Sequence, residues 1–226
     1  MPELYSVAID GPSGAGKSTL AKAAAAALGI CYVDTGAIYR TIGYGVYCRG
    51  IDPSDAAAVA AVLPEMRLEL HYDQAGLQRM KLAGRDVTEE IRLPEMSKYA
   101  SKVSAIPAVR DFLLELQRDQ ARRRSVIMDG RDIGTVVFPD AELKLFMTAD
   151  TAVRACRRYK ELTGKGMSVT MEEVERNIRE RDKADMSRAV SPLRQADDAI
   201  VLDNSHMSVD EQMAWFMNEF QLKMKN

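Results

Sequence analysis

Apolar residues along this chain cluster in two rhythms, short unbroken runs and longer stretches at helical spacing. Residues 4–9 (LYSVAI) form a β-branched apolar run followed by a glycine-rich turn, then the alanine-rich segment 17–28 and Gly29. That order predicts strand, loop and helix, with Gly29 as the helix terminator. Further short runs at 30–33 (ICYV), 125–128 (SVIM), 143–148 (LKLFMT) and 199–202 (AIVL) each lead to an aspartate: Asp34, Asp129, Asp150 and Asp203. Continuous apolar strands alternating with helical stretches predict a parallel sheet buried on both faces, an α/β fold.

Between the second and third runs the pattern changes. Residues 66–72 and 77–83 alternate apolar with polar side chains around a turn at 73–76, which predicts an antiparallel hairpin inserted at the edge of the sheet. Leu93-Pro94-Glu95 suits a helix start. Thr170 with Glu173, and Ser208 with Glu211, fit the capping box and place helices over about 171–188 and 209–222. The apolar side chains from Met213 to Phe220 read as core packing.

Composition narrows the options. With 31 basic and 33 acidic residues, a net charge of −2 argues against a sequence-independent grip on polymeric nucleic acid. Three dispersed cysteines and two histidines suggest neither a disulfide framework nor a zinc site. The sequence has no charged leader ahead of a long apolar stretch and no run of about 18 apolar residues, so a cytoplasmic protein with no membrane partner is expected. The near-neutral balance hints at no obligate partner, and a monomer is expected.

The strongest chemical signal is Gly11-Pro12-Ser13-Gly14-Ala15-Gly16-Lys17-Ser18, followed by Thr19, which satisfies G-x-x-x-x-G-K-[ST] between a strand and a helix. Glycines let main-chain N–H groups approach phosphates, and the helix N-terminus adds partial positive charge. Lys17 supplies a point charge to the β- and γ-phosphates of ATP, and the Ser18 hydroxyl is a candidate Mg²⁺ ligand. Asp129, at a strand end, is a second metal candidate, although an ordinary turn aspartate has the same placement. The motif leaves the phosphoryl acceptor open. A kinase of a small metabolite such as shikimate, or an ATP-gated regulatory module without turnover, would carry the same loop.

Arginines speak to the acceptor. Arg154, Arg157 and Arg158 share one predicted helix face, followed by Gly164-Lys165-Gly166; Arg181, Asp185 and Arg188 share another. Bringing two polyanions together for phosphoryl transfer requires such cations, whereas a solvated helix surface would explain either cluster taken alone.

Residues 10–19 (DGPSGAGKST), 34–40 (DTGAIYR), 84–92 (GRDVTEEIR), 129–135 (DGRDIGT), 137–140 (VFPD) and 181–193 (RDKADMSRAVSPL) together resemble the bacterial cytidylate kinase family nearly end to end. The resemblance implies a P-loop NTPase fold with a five-stranded parallel sheet flanked by helices. It also implies a monophosphate-binding insert with antiparallel strands (37–103) and a small helical lid (151–167), set on a core of 1–36, 104–150 and 168–226. It implies ATP and CMP or dCMP as partners, with Mg²⁺ as cofactor. Thr35, where the family often has serine, and Arg40 would lie near the acceptor, with Arg40 on its phosphate. Ser101, Arg110 and Asp132 would read the cytosine edge. Arg181 and Asp185 would hold ribose hydroxyls, and Arg131 and Arg188 the acceptor phosphate. Arg154, Arg157 and Arg158 resemble lid residues, so Lys17, Arg131, Arg188 and these three form the expected catalytic set.

Overall fold

A computed structural model describes residues 4–225; residues 1–3 and 226 of the expected core lie outside the described residues. The first half runs β1 (Ser6–Asp10), α1 (Lys17–Leu28), β2 (Cys31–Asp34), α2 (Thr35–Cys48) and α3 (Ala56–Val62). The insert follows as β3 (Leu68–Tyr72), β4 (Gln78–Leu82), β5 (Arg85–Asp86) and α4 (Met96–Val103). The chain continues with α5 (Pro107–Arg123), β6 (Val126–Gly130), β7 (Leu143–Thr148), α6 (Thr151–Gly164), α7 (Met171–Ser187), β8 (Ile200–Asp203) and α8 (Val209–Met224).

Five strands form one parallel sheet in the order β2-β6-β1-β7-β8. The central strand β1 is covered on both faces: Val7, Ala8 and Ile9 are wholly buried, which explains its unbroken apolar run. On one face Val7, Ile9 and Leu145 pack with Leu20 of α1 and with Phe216 and Phe220 of α8. On the other, Ala8 and Met128 pack with Ile38 and Ile42 of α2 and Leu113 of α5. After β1 the chain moves toward β2, and after β6 it crosses to β7. The crevice for ligands in such a sheet opens at this switch point, beyond the carboxyl ends of the strands.

Local signals behave as expected. Gly29 is left-handed (φ 66°), its N–H donates to Ala26 O, and the N–H of Ile30 donates to Ala25 O, which closes α1. Both capping boxes form, at Thr170–Glu173 and Ser208–Glu211. The hairpin pairs Leu68 with Leu82 and Leu70 with Met80. It also carries β5, an edge strand the alternation did not foretell, because its two residues follow a tight turn through Ala83 and Gly84 at positive φ. Ala155 of α6 shares a small core with Val174 and Ile178 of α7. Among the described residues, no helix is long and apolar enough to cross a membrane.

Candidate active site

At the carboxyl end of β1 the chain turns through the glycine-rich loop. Gly11 sits at φ 148°, and a Cβ there would lie 2.0 Å from the carbonyl oxygen of Met147 on β7, so no side chain fits. Gly14 and Gly16 also hold positive φ. Gly16 is the N-cap of α1 and brings no side-chain acceptor to the first turn; the Thr19 N–H turns back to Gly16 O at 3.0 Å, which leaves the N–H groups of Lys17 and Ser18 to meet an anion. Lys17 reaches back across the loop and donates to Pro12 O at 2.8 Å. Burial, and then the charge of Arg131, lower its ammonium to about 7, against the opposing pull of Asp129.

Asp129, on β6 beside β1, accepts from Ser18 Oγ at 2.9 Å and from the Tyr32 hydroxyl at 2.7 Å. Burial and the neighbouring Asp34 push its carboxyl up, opposed by Lys17. A hydroxyl and a carboxylate side by side are hard oxygen donors of the kind that suit Mg²⁺.

The other end of the cavity is built from side chains. Asp34 caps α2 through the N–H of Ala37, and its second oxygen pairs with Arg40 at 2.9 Å. The Thr35 hydroxyl donates to Asp129 O at 2.7 Å. Arg110 of α5 forms a buried ion pair with Asp132. Arg131 Nε meets Asp185 at 2.7 Å, and Arg188 lies between Asp132 (3.6 Å) and Asp185 (4.0 Å). Burial, with Arg131 next, brings Arg181 down to about 10. Burial alone would raise Asp185, but Arg131 and Arg181 outweigh it and hold the carboxyl low.

These groups line one cavity of about 630 Å³, which takes in Ser13, Gly14, Gly16, Lys17, Ser18 and Thr19 of the loop together with Thr35, Arg40, Ser101, Arg110 and Asp132. Arg131, Arg157, Arg158, Arg181, Asp185 and Arg188 line it too. Nine cationic side chains face five carboxylates there, so the lining is net positive and suited to polyanions. Among the described residues, Arg40 Nε, Arg110 Nε, Arg181 Nε and Arg188 Nη2 are buried donors without a hydrogen-bond partner. Phosphate or carbonyl oxygens would satisfy such groups.

The cytidylate kinase family model matches residues 7–222. A cytidylate kinase of Phocaeicola vulgatus is 44% identical over 219 residues, covering 95% of this chain and 96% of that protein. One from Caldicellulosiruptor saccharolyticus is 47% identical, covering 91% and 90%. The chain belongs to the cytidylate kinase family. A solved structure of an uncharacterised protein from Eubacterium ventriosum shares the fold alone, with a TM-score of 0.54 at 12% identity over 96% of this chain and 98% of that one.

Within this cytidylate kinase site one expected lid residue is placed differently. Arg154 does not line the cavity; its side chain is buried and donates to Ala149 O, Ser13 O and Thr151 Oγ1 while pairing with Asp182. Arg154 shares α6 with Arg157 and Arg158, but its buried side chain bonds the carbonyl oxygens of Ala149 and Ser13. Arg157 holds Asn204 through both Oδ1 and the main-chain oxygen, and Arg158 pairs with Glu161.

Four supporting residues carry no motif signal of their own. Tyr32 orients Asp129. Gln78 of the insert grips both the N–H and the C=O of Asp34, at 2.8 and 3.1 Å. Asp10, raised to about 6 chiefly by burial, accepts from the N–H groups of Ile133 and Gly134 and so anchors the segment carrying Arg131 and Asp132. Asp182 is the fourth. Asp10 and Asp182 fall within the family-resembling segments 10–19 and 181–193, where nothing marks them apart from their neighbours.

Proposed function

We propose that this chain transfers the γ-phosphoryl group of ATP to CMP, and to dCMP, yielding ADP and CDP or dCDP. The observation that carries the reading is one cavity that joins an amide-and-ammonium cradle to buried guanidinium donors without hydrogen-bond partners. An acceptor phosphate oxygen attacks the γ-phosphorus in line as the bond to the β-phosphate oxygen breaks, and charge builds on the equatorial oxygens. Lys17 and the loop amides hold the donor phosphates. Arg131 and Arg188 hold the acceptor phosphate and stabilise the developing charge, with Arg40 beside them, and Arg157 and Arg158 approach from α6. No strong base is required, since the attacking oxygen is already anionic.

At the far end Arg110 and Asp132, with Ser101, face the ring acceptors and the N4 amino donor of cytosine. Arg181 and Asp185 take the ribose hydroxyls, and Thr35 shapes the floor of the acceptor site. Ser18 and Asp129 would hold Mg²⁺, which when bound neutralises charge on the β- and γ-phosphates. The division into core, insert (37–103) and lid (151–167), a monomeric state and a cytoplasmic location belong to the same proposal.

A coupled ADP-release assay across CMP, dCMP, UMP, AMP, GMP and dTMP tests it, with CMP expected to be the preferred acceptor. Preference for AMP, GMP or dTMP over CMP refutes the base assignment.

A further inference from the structure

The front of the phosphate loop is held on both sides of one residue. Asp182 Oδ1 accepts from the Ser13 N–H at 3.0 Å, and Arg154 Nη1 donates to the Ser13 C=O at 2.9 Å. The two side chains also pair with each other. Both are largely buried, with 7% of the Arg154 side chain and 13% of the Asp182 side chain exposed. Arg154 is fixed further by Ala149 O at 2.9 Å and Thr151 Oγ1 at 3.0 Å. The fit is close: a Cβ at Gly14 would sit 3.2 Å from Arg154 Cβ.

This arrangement has a direction. Asp182 follows Arg181 on α7 and lies one turn before Asp185, so the residue gripping the donor loop sits on the helix that carries acceptor-side groups. The Ser13 amide is engaged by a carboxylate, so phosphate must be met by the amides further along the loop. A guanidinium bonded to two main-chain oxygens, a hydroxyl and a carboxylate has little freedom to follow a moving phosphoryl group.

We infer that Arg154 and Asp182 form a clamp on the Ser13 peptide, positioning the phosphate loop against α7 so that donor and acceptor stand in line; neither residue touches the transferring phosphoryl group. This rests on the kinase reading above. It moves Arg154 from the catalytic set to a positioning role and adds Asp182, which no sequence pattern singled out.

The test is a double-mutant cycle of Arg154→Ala, Asp182→Ala and the double variant, with steady-state kinetics in both substrates and CMP binding by calorimetry without ATP. Misplacing the loop by a fraction of an ångström is expected to lower kcat/KM for ATP by about 10- to 100-fold in each single variant. CMP affinity should stay within about twofold. The double variant should lose no more than the worse single one, because the pair acts as a unit. Asp182→Asn keeps an acceptor for the Ser13 N–H and should fall between wild type and Asp182→Ala, which keeps the test usable if the alanine variants fold poorly by circular dichroism. Multiplicative losses in the double variant overturn the clamp. So does a drop in kcat at unchanged KM for ATP in Arg154→Ala with Asp182→Ala silent, the signature of an arginine meeting the phosphoryl group. Lower melting temperatures with unaltered kinetics overturn it as well. Wild-type enzyme inactive on CMP would instead refute the kinase reading itself.

Discussion

The two ends of the cavity prepare for anions by different means. At the donor end the residues are consecutive, Gly11 to Thr19, and the groups offered are mainly main-chain amides at the start of α1, with Lys17 folded back onto Pro12 O. Elsewhere in the cavity Arg40, Arg110, Arg131 and Arg188 come from separate segments of the chain, and each is oriented by a carboxylate: Asp34, Asp132 or Asp185. A main-chain cradle is rigid and indifferent to what lies beyond the phosphates. A lattice of ion pairs specifies geometry but depends on every partner, since removing one leaves a buried charge unpaired.

Lys17→Ala should separate the two ends most sharply. It removes the one ammonium of the cradle and is expected to lower kcat by about 10³-fold, while CMP affinity measured calorimetrically changes little. Near-normal turnover would end the assignment of the loop. Arg131→Ala strikes the junction and should raise KM for CMP and lower kcat together, costing about 10²-fold in kcat/KM, because one cation serves ground and transition states. An effect confined to KM would reduce it to a binding residue.

Arg110→Met keeps bulk but breaks the pair with Asp132, and should cut the preference for CMP over UMP about tenfold with KM for ATP unchanged. Competition between the two acceptors in one assay measures it directly. The smallest effect is pH-dependent. Free Lys17 sits near 7, and bound phosphates favour the ammonium, so above pH 7 ATP binding must take up a proton and weaken as pH rises. Between pH 7 and 8 the affinity should fall about fivefold, with a buffer-dependent binding heat; below pH 6 this dependence should vanish.

The legibility of each part followed the range of the force involved. Gly29, the two capping boxes and the hairpin turn act over a few residues, so their signals lie in adjacent letters. Five strands and their parallel arrangement could be read from unbroken apolar runs, but their order could not. Asp129 is one strand-end acid among several; what marks it out is contact with Ser18, 111 positions away, and Tyr32, 97 away. Arg154 shows the limit from the other side. Helical spacing groups it with Arg157 and Arg158, but spacing says nothing about which member of a face meets the sheet and which meets the cavity.

The phosphate loop, the α/β alternation, the helix ends and the supply of arginines are written in adjacent residues, because backbone conformation and periodicity obey local sterics and hydrogen bonding. Tertiary structure alone decided which carboxylate orients which arginine, which arginine turns under the loop, and that Asp10, Gln78 and Asp182 brace the site. Those partnerships join residues as much as 169 positions apart, and only packing of the sheet and its helices brings them within hydrogen-bond reach.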